Sequence, residues 1–394
     1  MTSGIIIAIT GLLLIAYLFD LSSAKTRIPS VILLLATGWA VRRLTEWFHL
    51  SIPDLQPLLP IFGTVGLILI VLEGSLELEF NKSKTTLIRK SLLASFLPLF
   101  ALAFLMAWVF HYFSPASFKD HLTNVIPLCV ISSSIAIPSV KALNQYNREF
   151  VTYESSLSDI AGVLFFNFVA LNENLGFHSL GNFILQLLLM ILISFVATLL
   201  LGFMLHRIDH HIKFAPIILL VILIYTIAKV YHLPALLFIL LLGLFMGNLD
   251  ELKNLKWIQK LRPAELNEEV KKFKELTIEG AFLIRALFFL LFGFLINTNE
   301  ILNPDSFLWS VGVVMAIFFL RAIQLRLLKL PFSPLLFIAP RGLITILLFL
   351  SIDPSVRIPL VNRSLILQVI VLTALVMMLG LMTNKKNAAS ISEV

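Results

Sequence analysis

Apolar runs of membrane-spanning length follow one another along almost the whole chain, and this pattern constrains the fold more than any other feature. Of the 394 residues, 59% are hydrophobic and only 13% are charged, whereas about a quarter of the residues in a soluble domain are charged. Apolar runs of about 17 to 25 residues are long enough to cross a bilayer as helices. The chain is therefore predicted to be an all-α polytopic membrane protein.

About thirteen membrane helices are predicted, with boundaries least certain around 205–235. They lie at 4–20, 28–45, 57–76, 91–113, 124–143, 154–172, 181–205, 214–231, 233–249, 278–297, 306–327, 334–351 and 364–383. With the amino terminus outside, the inner connections hold 21 Lys and Arg and the outer ones six, and three more arginines lie within membrane segments. Cytoplasmic connections are enriched in Lys and Arg, so we predict an external amino terminus and a cytoplasmic carboxyl terminus.

Residues 250–277 interrupt the apolar runs with many charges of both signs. Their apolar residues are spaced as on one face of a helix, which predicts an amphipathic helix lying along the cytoplasmic headgroups. A regulatory arm is the alternative that the sequence leaves open.

The fifth predicted helix contains Ser133, Ser134 and Pro138 within an otherwise apolar run. Proline lacks a backbone N–H and clashes with the carbonyl four residues earlier, so this helix is predicted to be broken near the serines. The freed backbone groups and the hydroxyls are potential cation ligands.

The twelfth predicted helix has a second interruption at Pro340, Arg341 and Gly342. It lies seven helices after the first, so the two segments run in opposite directions, as two inverted repeats with broken crossing helices require. Helices one to six and eight to thirteen would form the repeats, with helix seven between them. Arg341 is predicted to be structural, either filling the broken end or neutralising a half-helix C-terminus.

The sixth predicted helix places Asp159 inside the membrane, together with Ser155 and Ser158 on nearly the same face. Inserting an Asp at the bilayer centre costs about 2.5–3.5 kcal/mol, so such a residue usually faces a cavity, a partner or a permeant ion. We predict that Asp159 faces the broken fifth helix and binds a small cation, Na⁺, with the serines. Pairing of Asp159 with a basic residue, to hold helices together, is the structural alternative.

Two further carboxylates lie in membrane segments. Glu154 points about 140° away from Asp159 around the helix, and Arg321 in the eleventh helix is predicted to form a structural ion pair with it. If Arg321 paired with Asp159 instead, it would compete with the cation. Glu73, at the end of the third helix, is either a third acidic ligand or a residue at the level of the headgroups.

Several functional classes are disfavoured. The chain has one cysteine and no glycine-rich phosphate loop, histidine metal set or Ser-His-Asp arrangement, so neither an enzyme nor a cofactor is predicted. The basic residues are spread between membrane segments instead of forming one face, which disfavours nucleic acid as a partner.

The motifs resemble those of the cation/proton antiporter superfamily, and in particular the sodium/proton exchangers of its electroneutral branch. Ser133-Ser134 is similar to the Thr or Ser of that branch's unwound fifth helix. The other similar stretches are Glu154-Ser155-Ser156-Leu157-Ser158-Asp159 with Glu-Ser-x-x-Asn-Asp, Glu73-Gly74-Ser75-Leu76 with Glu-Gly-Gly-Leu, and Pro340-Arg341-Gly342 with Leu-Arg-Gly. Ser158 departs from the pattern, standing where the electroneutral branch has Asn and the electrogenic branch a second Asp.

The resemblance implies exchange of Na⁺ or Li⁺ for H⁺ by elevator-type alternating access, with Asp159 alternately binding cation or proton. It further implies a homodimer in a prokaryotic plasma membrane, acting in pH and sodium homeostasis. The implied organisation is scaffold 1–90, core 91–180, linker 181–213, scaffold 214–249, cytoplasmic segment 250–277, scaffold 278–305, core 306–383 and tail 384–394. A K⁺/H⁺ antiporter or K⁺ efflux system, and a cation channel from a different class, remain alternatives.

Overall fold

The computed structural model describes residues 2–26, 28–49, 52–78, 84–172, 176–207, 214–231, 233–249 and 263–389. Within these ranges every regular element is a helix and no β-strand occurs, so the predicted all-α class is confirmed. Residues 250–262, which hold six of the thirteen charged residues of the predicted amphipathic segment, lie outside the described ranges.

The helices fall into two groups along the chain. Before residue 250 they are α1 Thr2–Thr26, α2 Ser30–Trp47, α3 Leu58–Glu77, α4 Thr85–Phe113, α5 Phe118–Cys129, α6 Ser133–Ser139, α7 Gln145–Leu171, α8 Phe177–Arg207, α9 Phe214–Val230 and α10 Ala235–Gly247. After residue 262 they are α11 Pro263–Phe294, α12 Thr298–Ile301, α13 Pro304–Leu327, α14 Leu343–Leu350 and α15 Arg363–Ala389, with 3₁₀ turns at Leu335–Phe337 and Pro354–Val356.

The thirteen predicted runs each correspond to helix in the described part of the chain. Nine of the segments described are long and apolar enough to cross a membrane, with α5 and α6 counted together, and α9 and α10 are shorter apolar helices. The two remaining predicted runs, 28–45 and 334–351, correspond to α2 and to the interrupted segment that ends in α14.

Several helices extend beyond their apolar stretch. Helix α7 begins at Gln145, where the Asn144 side chain accepts a hydrogen bond from the Asn147 N–H at 2.8 Å. Helix α11 runs without a break from Pro263, so residues 263–277 continue directly into the predicted tenth membrane helix. Polar helix ends leave no trace in an apolar pattern, because a helix can continue into the headgroups or water without burying them.

The described residues divide into two compact units. The first comprises 1–64, 90–162 and 283–394 and contains both interrupted segments; the second comprises 65–89 and 163–282. The predicted division into scaffold and core helices follows different boundaries and stays a prediction.

Within the first unit, α2 and α11 approach each other through glycines. A Cβ atom at Gly38 would lie 2.2 Å from the Leu290 carbonyl oxygen, and one at Gly293 would lie 2.4 Å from the Leu35 carbonyl oxygen. Only glycine permits backbones to come this close.

Within the second unit, α10 packs against α8, α9 and the end of α3. The Asn248 amide at the end of α10 donates to the Leu78 carbonyl at 2.7 Å. A Cβ at Gly243 would lie 1.8 Å from the Ser75 hydroxyl oxygen, so this contact also requires glycine.

Candidate functional site

The first interruption separates α5 from α6. Helix α5 ends at Cys129, Val130 and Ser132 have extended backbone, and α6 begins at Ser133. The chain is therefore interrupted directly before the serines. Pro138 lies inside α6, where its missing N–H leaves the Ser134 carbonyl without its usual helical donor.

The second interruption separates the turn at Leu335–Phe337 from α14. The peptide between them is non-helical and contains Pro340, Arg341 and Gly342, and α14 follows from Leu343. Interruption of this segment frees backbone N–H and C=O groups inside the protein, and those groups need partners.

The two interrupted segments contact each other directly. The Ser132 N–H donates to the Pro340 carbonyl at 2.9 Å. A Cβ at Gly342 would lie 2.6 Å from the Ile135 side chain and 2.8 Å from the Ser132 hydroxyl. Gly342 therefore lets the second segment pass close to the first.

Asp159 on α7 lies at the first interruption. It is only 1% exposed. Its Oδ2 accepts hydrogen bonds from the Ser133 N–H, at 3.1 Å, and from the Ser133 hydroxyl. Its Oδ1 is buried and has no hydrogen-bond partner among the described residues. One carboxylate oxygen is thus held by the broken helix, while the other has free lone pairs.

The other predicted hydroxyls have different partners. Ser158 accepts from the Ile131 N–H at 3.0 Å, which satisfies a backbone donor of the interruption. Ser155 donates to the carbonyl of Val151 in its own helix, and Ser134 shares a hydrogen bond with Ser132. Of the four predicted serines, the structure brings only Ser133 into hydrogen-bonding contact with Asp159; the roles of the others as cation ligands stay predictions.

Helix α7 is held close to the interruption by Gly162. A Cβ at this position would lie 2.2 Å from a methyl group of Val130. The site is therefore enclosed by α7 on one side and by the two interrupted segments on the other.

Glu154 and Arg321 form a bidentate ion pair in the interior of the first unit. The Arg321 Nη2 donates to Glu154 Oε2 at 2.8 Å, and its Nη1 contacts Oε1. The pair is 1% and 2% exposed. Gln324, one turn after Arg321, donates to Glu154 Oε1 at 2.8 Å and to the Ala94 carbonyl at 3.1 Å. The alternative pairing of Arg321 with Asp159 does not occur here.

Arg341 binds the end of α5. Its guanidinium group donates to the carbonyls of Leu128 at 2.7 Å, Cys129 at 3.3 Å and Ala339 at 2.9 Å. Two of these carbonyls belong to the last turn of α5, where the helix dipole is negative. Of the two structural roles considered for Arg341, the geometry matches neutralisation of a half-helix C-terminus.

Arg321 and Arg341 line one small cavity, together with Ser158 and Ile131. Its volume of about 20 Å³ is enough for one water molecule. The Oε1 atom of Gln324, another lining residue, is buried without a partner among the described residues.

Glu73 lies on α3 in the second unit and is half-buried. Its role as a third acidic ligand stays a prediction.

Sequence reasoning did not single out Thr373, Gln324 or Thr345. The Thr373 hydroxyl accepts from the Arg341 N–H at 3.1 Å, and Gln324 supports Glu154. The Thr345 hydroxyl on α14 is buried without a partner in the described ranges. The sequence shows each of them only as a polar residue in an apolar helix. That pattern does not identify the group with which the side chain forms a hydrogen bond.

The oxygen atoms that the structure brings together at this point are those of the Asp159 carboxylate and the Ser133 hydroxyl, and hard cations prefer oxygen ligands of this kind. No group of three or more His, Cys, Asp or Glu side chains in the described residues is arranged to hold a metal ion.

Comparison with known proteins gives a family and a fold. The family model described as sodium/hydrogen exchanger, transmembrane, matches residues 10–384. A structure of the sodium proton antiporter MjNhaP1 from Methanocaldococcus jannaschii at pH 8 is 17% identical, with a TM-score of 0.71, covering 95% of this chain and 98% of the other. An electron-microscopy structure of the same antiporter gives a TM-score of 0.61 at 17% identity and covers 99% and 97%. No curated protein matches the chain.

Removing one partner of the buried ion pair is predicted to destabilise the protein strongly. Arg321→Met leaves the Glu154 charge buried and unpaired, which costs about 3–5 kcal/mol. Thermal unfolding in detergent, followed by light scattering and intrinsic fluorescence, should show a large drop in Tm. The double variant Glu154→Gln/Arg321→Met removes both charges and should recover much of that loss. An unchanged Tm in Arg321→Met would contradict a structural ion pair. So would a double variant whose loss in Tm equals the sum of the losses in Arg321→Met and Glu154→Gln.

Proposed function

The chain belongs to the sodium/hydrogen exchanger family, and on that premise we propose that it exchanges Na⁺ or Li⁺ for H⁺ across the membrane. The family is one of transporters and not of enzymes. Similar solved structures are those of a sodium proton antiporter, whose described activity agrees with this proposal.

The observation that carries the proposal is the environment of Asp159. Its carboxylate is buried, has no ion pair among the described residues, and accepts hydrogen bonds through only one oxygen. A buried carboxylate without a charged partner is unfavourable unless it is protonated or binds a cation. Both occupants use the same oxygen atoms, so they compete for one site.

This competition couples the two ion fluxes. When the site faces one side of the membrane, Asp159 exchanges a proton for Na⁺; when it faces the other side, it exchanges Na⁺ for a proton. An elevator-type movement of the core helices against the scaffold helices provides the alternating access. A carboxylate that carried neither occupant would be charged and buried during this movement, which disfavours the return of an empty site.

Charge balance favours electroneutral exchange. The Glu154 carboxylate is already neutralised by Arg321, and Ser158 places a hydroxyl beside Asp159 where a second carboxylate would carry another charge. One exchangeable carboxylate supports one proton for each cation.

We propose that the protein works as a homodimer in a prokaryotic plasma membrane, with its amino terminus outside. Helix α1 is little buried and exposes Ile7, Leu14 and Leu18. This apolar surface suits lipid or a second copy of the chain.

Asp159→Asn is predicted to abolish exchange, because a neutral amide has no ionisable proton to release when a cation binds. In proteoliposomes with an internal pH dye, Na⁺ and Li⁺ should collapse an imposed pH gradient with the unaltered protein. The variant should give only the response of empty liposomes. Asp54→Asn, which removes the same charge from an exposed loop, is the matched control and should retain full exchange.

The outcomes separate the alternatives. Retained exchange in Asp159→Asn would overturn the proposal. A response to K⁺ alone would favour the K⁺/H⁺ antiporter. Passage of Na⁺ through Asp159→Asn without movement of protons would favour a channel.

The serines give a second prediction. Ser133→Ala removes the hydroxyl that contacts Asp159, and a hydrogen bond to a charged group contributes about 1.5–3 kcal/mol. The Na⁺ concentration for half-maximal exchange should rise about tenfold or more. Ser139→Ala removes a hydroxyl that bonds the Ile135 carbonyl of its own helix and should change this concentration by less than about twofold. Equal shifts in the two variants would contradict a specific role for Ser133.

A further inference from the structure

An apolar cavity of about 450 Å³ lies between α2, α12 and α15 of the first unit. Its walls include Val31 and Leu35 of α2, Ile301 of α12, and Leu367 and Ala374 of α15. This volume is within the range of about 300–1,000 Å³ of small-molecule sites. Apolar cavities exclude water, so the chemistry of the walls selects a hydrocarbon occupant.

The cavity is elongated along the helices. On α2 its wall residues run from Val31 to Trp39, a rise of about 12 Å, and on α15 from Leu367 to Ala374, about 10 Å. Ala36 on the same wall is exposed, so the space is accessible from outside the protein. Its long axis follows the membrane helices, as the acyl chains of a bilayer do.

One end of the cavity carries an indole ring and an arginine. The Trp39 N–H donates to the Thr298 hydroxyl at 3.0 Å. The Arg43 guanidinium lies 5.8 Å from the centre of the Trp39 ring and also donates to Thr298. Trp at the end of an apolar surface is typical of the membrane interface.

Two further arginines lie at this end. Arg42 pairs with Glu46, which also pairs with Arg43, both at 2.8 Å. Arg363, one turn before Leu367, lies 3.5 Å from Glu300 and donates to the Leu295 carbonyl. Within this set of contacts three arginines meet two carboxylates, an excess of one positive charge.

We propose that the cavity binds one acyl chain of an anionic phospholipid, whose phosphate contacts Arg43 and its neighbouring arginines. The apolar cavity matches the acyl chain, and the excess positive charge at its end matches the anionic headgroup. The separation of the two features along α2 fits a lipid better than it fits a soluble ligand or a protein surface.

Native mass spectrometry tests the proposal on the delipidated full-length protein in detergent. It is titrated with dioleoyl phosphatidylglycerol or dioleoyl phosphatidylcholine, and bound lipids are counted per chain. The unaltered protein should bind one lipid and prefer phosphatidylglycerol by about fivefold, because each basic residue near an anionic headgroup contributes about 1 kcal/mol.

Two matched pairs of variants distinguish the contribution of the acyl chain to lipid binding from that of the headgroup. Ala36→Phe fills the cavity and should weaken binding of both lipids at least about tenfold, while Ala8→Phe, on an exposed position of α1, should not. Arg43→Gln should reduce the preference for phosphatidylglycerol, while Arg326→Gln, an exposed arginine on α13, should keep it.

Unfolding temperatures are measured for each variant. If Ala36→Phe is destabilised, Ile32→Trp on the same wall replaces it. Unweakened binding in the cavity-filling variant, or equal affinity of the unaltered protein for the two lipids, would overturn the proposal. Disulfide cross-linking of two Ala36→Cys chains at this position would also overturn it, because a second copy would then cover the cavity. Lipid binding is measured without transport. Its result therefore tests the lipid site independently of the proposed exchange activity.

Discussion

The structure around Asp159 depends on satisfying the backbone groups of two helices that break inside the protein. Hydrocarbon offers no hydrogen bonds, and each unpaired backbone group there costs several kcal/mol. The two breaks solve part of this problem together, because the Ser132 N–H donates to the Pro340 carbonyl. Arg341 then binds three further carbonyls, and the Ser158 hydroxyl accepts from the Ile131 N–H.

Asp159 belongs to the same set of contacts, since it accepts from the Ser133 N–H. The group that we propose to bind the ion therefore also holds the start of α6. Because of this dual role, a change in the charge of Asp159 also changes the hydrogen bonds that hold the interrupted segment. By contrast, Glu154 uses both of its oxygens to bind Arg321 and Gln324, which suits a group that keeps one charge state. Two carboxylates five residues apart on one helix thus differ in role because their hydrogen-bond partners differ.

Much of the fold was predictable from the sequence, because membrane helices are encoded by length and hydropathy. Proline indicated the interrupted segments, because it removes a backbone donor and clashes with the preceding turn. It did not give the exact position of the first break, which precedes Ser133 while Pro138 itself lies inside α6. The partner of Arg321 could be deduced because a buried arginine needs a carboxylate, and Glu154 faces away from Asp159. These inferences rest on large energetic penalties, which few arrangements of the chain avoid.

Hydroxyl partners were less predictable. Ser155 shares a helical face with Asp159, but its hydroxyl bonds the Val151 carbonyl in its own helix, a local choice always open to serine. Thr373 and Gln324 were missed because one polar residue in a helix does not reveal which backbone group it will meet. The start of α7 at Gln145 was missed because polar residues at a membrane surface carry no apolar signal. Helix was predicted for 263–277, but its continuity with the tenth membrane helix was not.

The central claim is that one carboxylate at the crossing of the two interrupted segments is shared between H⁺ and a metal ion. The most direct measurement is the number of protons released per Na⁺ bound, read with a pH dye in weakly buffered solutions of the purified protein. At a pH where the site is protonated, one proton should appear for each Na⁺ bound, and none in Asp159→Asn. Binding of Na⁺ without proton release, or the same release from the variant, would contradict the claim.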